Sequence, residues 1–210
     1  MKAVYIGAIV LISACNLLLL PCCFGQSDMN LAGKFQDYTR ETYLNPSVFT
    51  APAFTATITM AAPPGKGPTR YPSSWRQGAA GFARNYGDAA TQRITYDTAR
   101  FAADVLFRED PRYSPSTSHH VLVRVGHALA FTIVDRSDSG HAMPALGNFA
   151  GAAAAGFVGN AYLPDGFSDR THVTQRISLR LAYAAGANLF REFAFQMPRP
   201  ARTAIMLIGR

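Results

Sequence analysis

Five histidines, His119, His120, His127, His141 and His172, are the side chains of this sequence best suited to proton transfer near neutral pH. No His-x-x-x-His spacing occurs, so no helix offers the usual zinc pair. His120 and His127 would share a helix face but stand about two turns apart, too far for one metal. Each histidine reads as packed or solvent-facing, and no metal or other cofactor is expected. Glu109, Asp110, Pro111, Arg112 and Tyr113 gather two acids, an arginine and a phenol. Such a group could hold a cation or position a general acid. Arg112 could equally pair with an acid while Pro111 stops a helix. No second acidic cluster accompanies it, which favours the structural role. All three cysteines, Cys15, Cys22 and Cys23, fall in the first 25 residues. Phosphate-cradling glycine loops and the Gly-x-Ser-x-Gly elbow are missing.

Ser137, Asp138, Ser139, Gly140 and His141 read most simply as a turn. The Ser139-Gly140-His141-Ala142 run also resembles one motif of the type-2 phosphatidic-acid phosphatases. In that family the histidine is a general acid and arginines hold the phosphate. The resemblance implies a phosphoester hydrolase using His141 and His172 with Arg124 or Arg170. The family's upstream Lys-x6-Arg-Pro motif is lacking. Only Asp169, Arg170, Thr171 and His172 approach its downstream motif, with no acid four residues after the histidine.

The elements that would position these residues begin after a leader. Lys2, the apolar run Ala3 to Leu20, Pro21 and the small residues before Gln26 have the layout of a signal peptide over residues 1–25. Cleavage there would leave a thiol-free exported chain, without disulfides or thiolate sites. Ile12-Ser13-Ala14-Cys15 alternatively has the form of a lipidation site on Cys15. The net charge of +7 favours anionic envelope surfaces or membrane lipid as partners. The cations are too dispersed for nucleic acid. The charged fraction of 16% is low against the usual ~25%. Much surface must therefore be buried in a core, a partner or lipid.

Residues 26–70 read as a variable segment, with Asn45-Pro46 opening a new element, a strand-like alternation over Phe54 to Met60, and a Pro63–Pro68 linker. Residues 71–197 read as a helical core, and 198–210 as a tail. A long helix from Ser74 to Arg108 carries the pairs Arg84–Asp88, Arg93–Asp97, Arg100–Asp104 and Asp104–Arg108 at i,i+4. Gly87 is a possible kink, and Pro111 is the expected stop. Further helices are expected over about 119–135, 145–162 and 171–194. Ala142 to Pro164 is uncharged, and within it Gly147, Gly151, Ala155 and Gly159 recur every four residues. On a helix they form one small-residue face where another backbone can approach. Gly126/Ala130 and Ala182/Gly186 repeat the pattern. The expected fold is mostly α, a compact bundle of about four to five helices around this glycine-zipper-like central helix. The 145–163 stretch is also long enough to enter a membrane. A transmembrane β-barrel is the alternative, on the alternations Val121 to Ile133 and Ile177 to Leu189.

Trp75, Gly78, Gly81-Phe82, Arg84 and Gly87, then Glu109 to Tyr113, Asp138 to Gly140, Asn148 to Gly151, Tyr162 to Pro164 and Arg191 to Phe193, form a succession. It resembles an uncharacterised family of exported bacterial proteins over positions 71–197. The resemblance implies an address and a helical core, and no reaction. The expectation is therefore an envelope protein without enzymatic activity. It would pack its small-residue seams, with Gly126 and Gly186 among them, against itself, an envelope partner or lipid.

Overall fold

The computed structural model describes residues 29–61 and 71–196. The leader, the Cys15 site, the Pro63–Pro68 linker and the tail from Pro198 lie outside the described residues. Six helices dominate. Helix α1 (Leu31–Thr39) starts where the Asn30 side chain accepts a hydrogen bond from Gly33 N at 2.8 Å, and it runs into a π-helical turn, Arg40–Leu44. Asn45 ends that turn. Its Oδ1 then accepts from Ser47 N at 3.0 Å, opening α2 (Ser47–Ala61).

Helix α2 overturns the strand expected over Phe54 to Met60. The period-two pattern came from threonines, and a helix can satisfy these. Thr57 and Thr59 donate to the carbonyls of Ala53 and Thr55 at 2.9 and 2.8 Å.

Helix α3 (Gly78–Leu106) starts four residues later than expected, because Ser73–Trp75 forms a 3₁₀ turn and Ser74 caps nothing. Trp75 is buried beneath the first turn. A Cβ at Gly81 would stand 2.8 Å from the Trp75 carbonyl, which also accepts from Asn85 Nδ2 at 2.6 Å. Gly87 leaves the helix unbroken. The stop comes before Pro111. Arg108 adopts φ 56°, and Glu109 N reaches back to the Asp104 carbonyl at 2.9 Å, a left-handed C-terminal closure. Of the four expected ion pairs, Arg93–Asp97 and Arg100–Asp104 form, at 3.7 and 3.6 Å. Asp88 is instead taken by Tyr71, Gln92 and Tyr162. The left-handed turn carries Arg108 out of the helix that would have aligned it with Asp104.

Helix α4 (Val121–Ala130) is shorter than expected. Strands β1 (Val134–Arg136) and β2 (Ala142–Pro144) take the following residues as an antiparallel hairpin, with Asp135 opposite Met143. Gly140 turns it at φ 82°. Helix α5 (Leu146–Val158) and helix α6 (Arg170–Phe193) complete the chain. Asp169 caps α6 by accepting from His172 N at 2.9 Å.

Helix α5 packs between α3 and α6, and α2 lies on another side of α3. Of the two alternations read as barrel strands, Val121 to Ile133 lies in α4 and the turn after it, and Ile177 to Leu189 lies in α6. Strand structure among the described residues is confined to the hairpin, so the barrel alternative falls. None of the described helices is long and apolar enough to cross a membrane. The 13 residues of α5 span only ~20 Å, against ~30 Å of hydrocarbon.

The expected small-residue face does meet another backbone. A Cβ at Gly147 would collide with the Asp104 carboxylate, and one at Gly151 would stand 2.8 Å from the Tyr96 carbonyl, both on α3. Ala155 is fully buried, and a Cβ at Gly159 would meet the Arg176 guanidinium at 2.9 Å. Gly156, off the four-residue repeat, admits Ile177 and Val173 of α6. Gly126 and Gly186 form no seam. Nothing lies within 4 Å of a Cβ at either, because Gly126 is on an exposed helix face and Gly186 borders an open groove.

Gly151→Leu should therefore lower stability by about 3 kcal/mol or more, since it faces backbone that cannot move aside. Gly126→Ala, open and mid-helix, should raise it by about 1 kcal/mol. Urea unfolding of both variants checks the contrast, and equal effects would show that α5 does not abut α3 closely.

Candidate functional site: a buried charge network beside an arginine-lined groove

The acidic cluster is a joint between helices. Glu109 is fully buried, and its Oε2 accepts from Gly147 N at 2.9 Å. Ala145 offers α5 no side-chain cap, so Glu109 supplies the hydrogen-bond acceptor at that helix's N-terminus from a distant part of the chain. Asp110 holds Arg112 through Nε at 2.9 Å and Nη2 at 2.6 Å. The Pro111 carbonyl accepts from Arg100 at 3.2 Å, and Tyr113 donates its hydroxyl to Glu192 at 2.6 Å.

Glu192, 1% exposed near the end of α6, gathers the inner face of α4. Arg124 donates to its Oε1 at 2.7 Å and also to its backbone carbonyl. Ser116 N donates at 3.0 Å, and His127 Nδ1 lies 3.8 Å away. Burial pushes the Glu192 carboxyl up, but hydrogen bonds from Tyr113, Arg124 and Ser116 outweigh it and hold it below the usual range. Burial depresses His127 despite Glu192, which favours the neutral imidazole.

The residues of the phosphatase resemblance are not gathered at one point. His141 lies exposed in the hairpin, its Nδ1 3.0 Å from Ser139 Oγ. His172 is buried, its Nδ1 2.8 Å from Asp169 Oδ1. Arg170 is exposed in the first turn of α6, beside His172. Arg124 sits at Glu192, twenty residues further along α6, or ~30 Å away by helical rise.

A second buried group surrounds Arg100. Asp104, its partner at 3.6 Å, is 3% exposed, and burial pushes its carboxyl up to about 7. Asp135, 2% exposed, is pushed up to about 8, also by burial. Lys34, itself buried, reaches across from α1 to the Asp104 carbonyl at 2.9 Å and to Asp138 at 2.8 Å. Arg100 Nε, Asp104 Oδ1, Glu109 Oε1 and Asp135 Oδ2 are buried without a hydrogen-bond partner. Neutral carboxyls at Asp104 and Asp135 lessen that penalty. Among the described residues no three His, Cys, Asp or Glu side chains are placed to hold a metal.

Beside this network a cavity of about 490 Å³ lies between α2 and α6, with α3 as its floor. Arg93 and Arg100 of α3 and Arg180 and Arg191 of α6 line it, together with Asp88, Asp97 and Asp135. Arg93 is anchored on Ser47 O and Oγ, at 2.6 and 2.9 Å. Burial also pushes the Asp97 carboxyl up, against Arg93, Arg100 and Arg180. Apolar walls come from Phe54 and Ile58 of α2 and from Leu179 and Tyr183 of α6. Sequence reasoning missed this groove. Its signals were present as the i,i+4 charges of α3 and the small pair Ala182/Gly186, which opens space for the cavity instead of closing a seam.

Comparison of the chain with protein-family models, with curated proteins and with solved structures finds no match.

Two outcomes follow from the buried charges. In the folded chain Asp104 and Asp135 keep protons that the unfolded chain releases above pH ~4. Stability should thus fall by several kcal/mol as pH rises from ~4 to ~8, with up to about 4 kcal/mol of it from Asp104. Asp104→Asn should flatten the pH profile of the urea midpoint, and an unchanged slope would exclude Asp104 as its source. Arg124→Met strands a buried carboxylate and should cost about 3–5 kcal/mol, much of it recovered in the Arg124→Met/Glu192→Leu double variant. Additive losses in that pair would show that Arg124 and Glu192 do not compensate each other.

Proposed function

We propose that this chain is an exported envelope protein that acts without catalysis, as an interaction module seated on an anionic membrane surface. One observation carries the reading: helix α4 is turned inside out. Its inner face holds Arg124 and His127 against Glu192. Its outer face presents Leu122, 85% exposed, with Gly126 and Leu129 along the same stripe, and Ile133 just beyond the helix is exposed too. Large apolar groups on a solvent face are unfavourable unless something covers them.

The rest of the surface follows suit. Leu31, Phe35, Phe49 and Leu106 are exposed, while the largest fully buried side chains are Glu109 and Glu192. A net charge of +7 favours anionic lipid head groups as the cover. Helices too short or too polar to span a bilayer can still lie on one. The export half of the reading rests on the leader-like residues 1–25.

Sedimentation of the full chain with phosphatidylcholine vesicles, with and without phosphatidylglycerol, tests this. Binding should require the anionic lipid and weaken with salt. Leu122→Glu/Leu129→Glu should reduce it about tenfold or more without changing the circular dichroism spectrum. A chain that stays in the supernatant with both vesicles, or a double variant that binds undiminished, would sink the proposal.

A further inference from the structure

We propose that the groove between α2 and α6 binds a single-chain anionic amphiphile, with one carboxylate or phosphate head on a long alkyl chain. The site is separate from the outer face of α4 and does not depend on the membrane reading.

Shape supplies the first argument. Asp88, Gln92, Tyr96 and Arg100 recur every four residues on α3 and all line the cavity. They mark a floor of ~18 Å, extended like an alkyl chain. The ≈ 490 Å³ volume is within the ordinary range for small-molecule sites. The walls are apolar, from Phe54 and Ile58 on one side and Leu179 and Tyr183 on the other. Ala182 and Gly186 keep the α6 wall low, and a Cβ at Gly186 would touch nothing within 4 Å.

Charge supplies the second. Four guanidiniums line the groove with three carboxyls. Asp135 stays protonated below about 8, and Asp88 accepts hydrogen bonds from Tyr71, Gln92 and Tyr162. Asp97 stands 3.7 Å from Arg93. Arg180 makes no ion pair among the described residues, and its hydrogen bond to the Ala89 carbonyl is long at 3.4 Å. It is half-buried and lines the cavity. A guanidinium in this position favours an anionic oxygen pair, which its planar fork matches. Asp97 and Asp88 act on Arg180 only from a distance, so an uncharged amphiphile would fill the apolar walls and leave it without a direct ion pair.

The test is titration of the full chain with the fluorescent fatty acid cis-parinarate, below its micelle concentration and without vesicles. Saturation at one probe per chain is expected. Palmitate or hexadecyl phosphate should displace it, while hexadecanol and inorganic phosphate should not. Displacement by only one of the two anions upholds the site and identifies the head it prefers. Arg180→Met should weaken binding about tenfold or more, and Gly186→Trp should block it by filling the groove. Hexadecanol competing as well as palmitate, or no saturable binding, overturns the proposal. So does undiminished binding by Arg180→Met, a variant that keeps the test decisive if Gly186→Trp does not fold. If probe binding is absent and Gly186→Trp alters the oligomeric state on size-exclusion chromatography, the groove is a contact between copies and the proposal fails. Because no bilayer is present, loss of this site would leave the vesicle result standing, and the reverse.

Discussion

The contact on which the rest of the structure depends is the close approach of α5 to α3, at Gly147 and Gly151. Only hydrogen at these two Cα positions lets the helices come near enough for the Tyr96 carbonyl to lie against Gly151. That approach carries the N-terminus of α5 into a pocket of carboxyls. Glu109 accepts from Gly147 N, and Asp104 crowds the same glycine. The positive end of the α5 dipole thus faces carboxyl oxygens, its favourable orientation. The left-handed turn at Arg108 is required in the same assembly, because it swings Glu109 from the end of α3 toward α5. Backbone geometry, helix packing and electrostatics therefore meet at one joint.

Consequences spread outward from that joint. Backbones brought this close leave little room for bulky apolar side chains, and the buried apolar residues are mostly alanines, among them Ala89, Ala103, Ala152 and Ala155. Larger interior spaces are spanned by hydrogen-bonded ions: Arg93 to Ser47, Arg176 to the Gly156 carbonyl at 2.7 Å, and Arg124 to Glu192. Ionic joints of this kind fix geometry more than they add stability. Leucines and phenylalanines excluded from the interior lie outside, on α1, α2 and α4. A chain so arranged gains from any surface that covers its exterior, and its interior charges make its stability depend on pH.

Helix placement was legible where one signal dominated. The charge spacing of α3, the Asn45 cap and the uncharged small-residue run of α5 each pointed to the element that forms. Errors came where two patterns share a signature. Thr57 and Thr59 at alternate positions resemble a strand until their hydroxyls bond to carbonyls four residues back. Residues 134–144 read as the end of a helix and a turn, but their pairing as a hairpin depends on partners across the turn. The glycines divide in the same way. Spacing marked Gly147 and Gly151 and equally marked Gly126 and Gly186, yet spacing does not say which face of a helix has a neighbour.

The sequence by itself determined the helical class and the small-residue face of α5. These are local properties, set by periodicity and Cβ size. Only the tertiary structure decided that Glu109 would cap a helix 38 residues away, that Glu192 would bind Arg124 across 68 residues, and that arginines of α3 and α6 would line one groove. Such pairings depend on which helix faces meet. That choice rests on the free energy of the whole packed arrangement, in which a buried charge is tolerated only when its partner arrives with it.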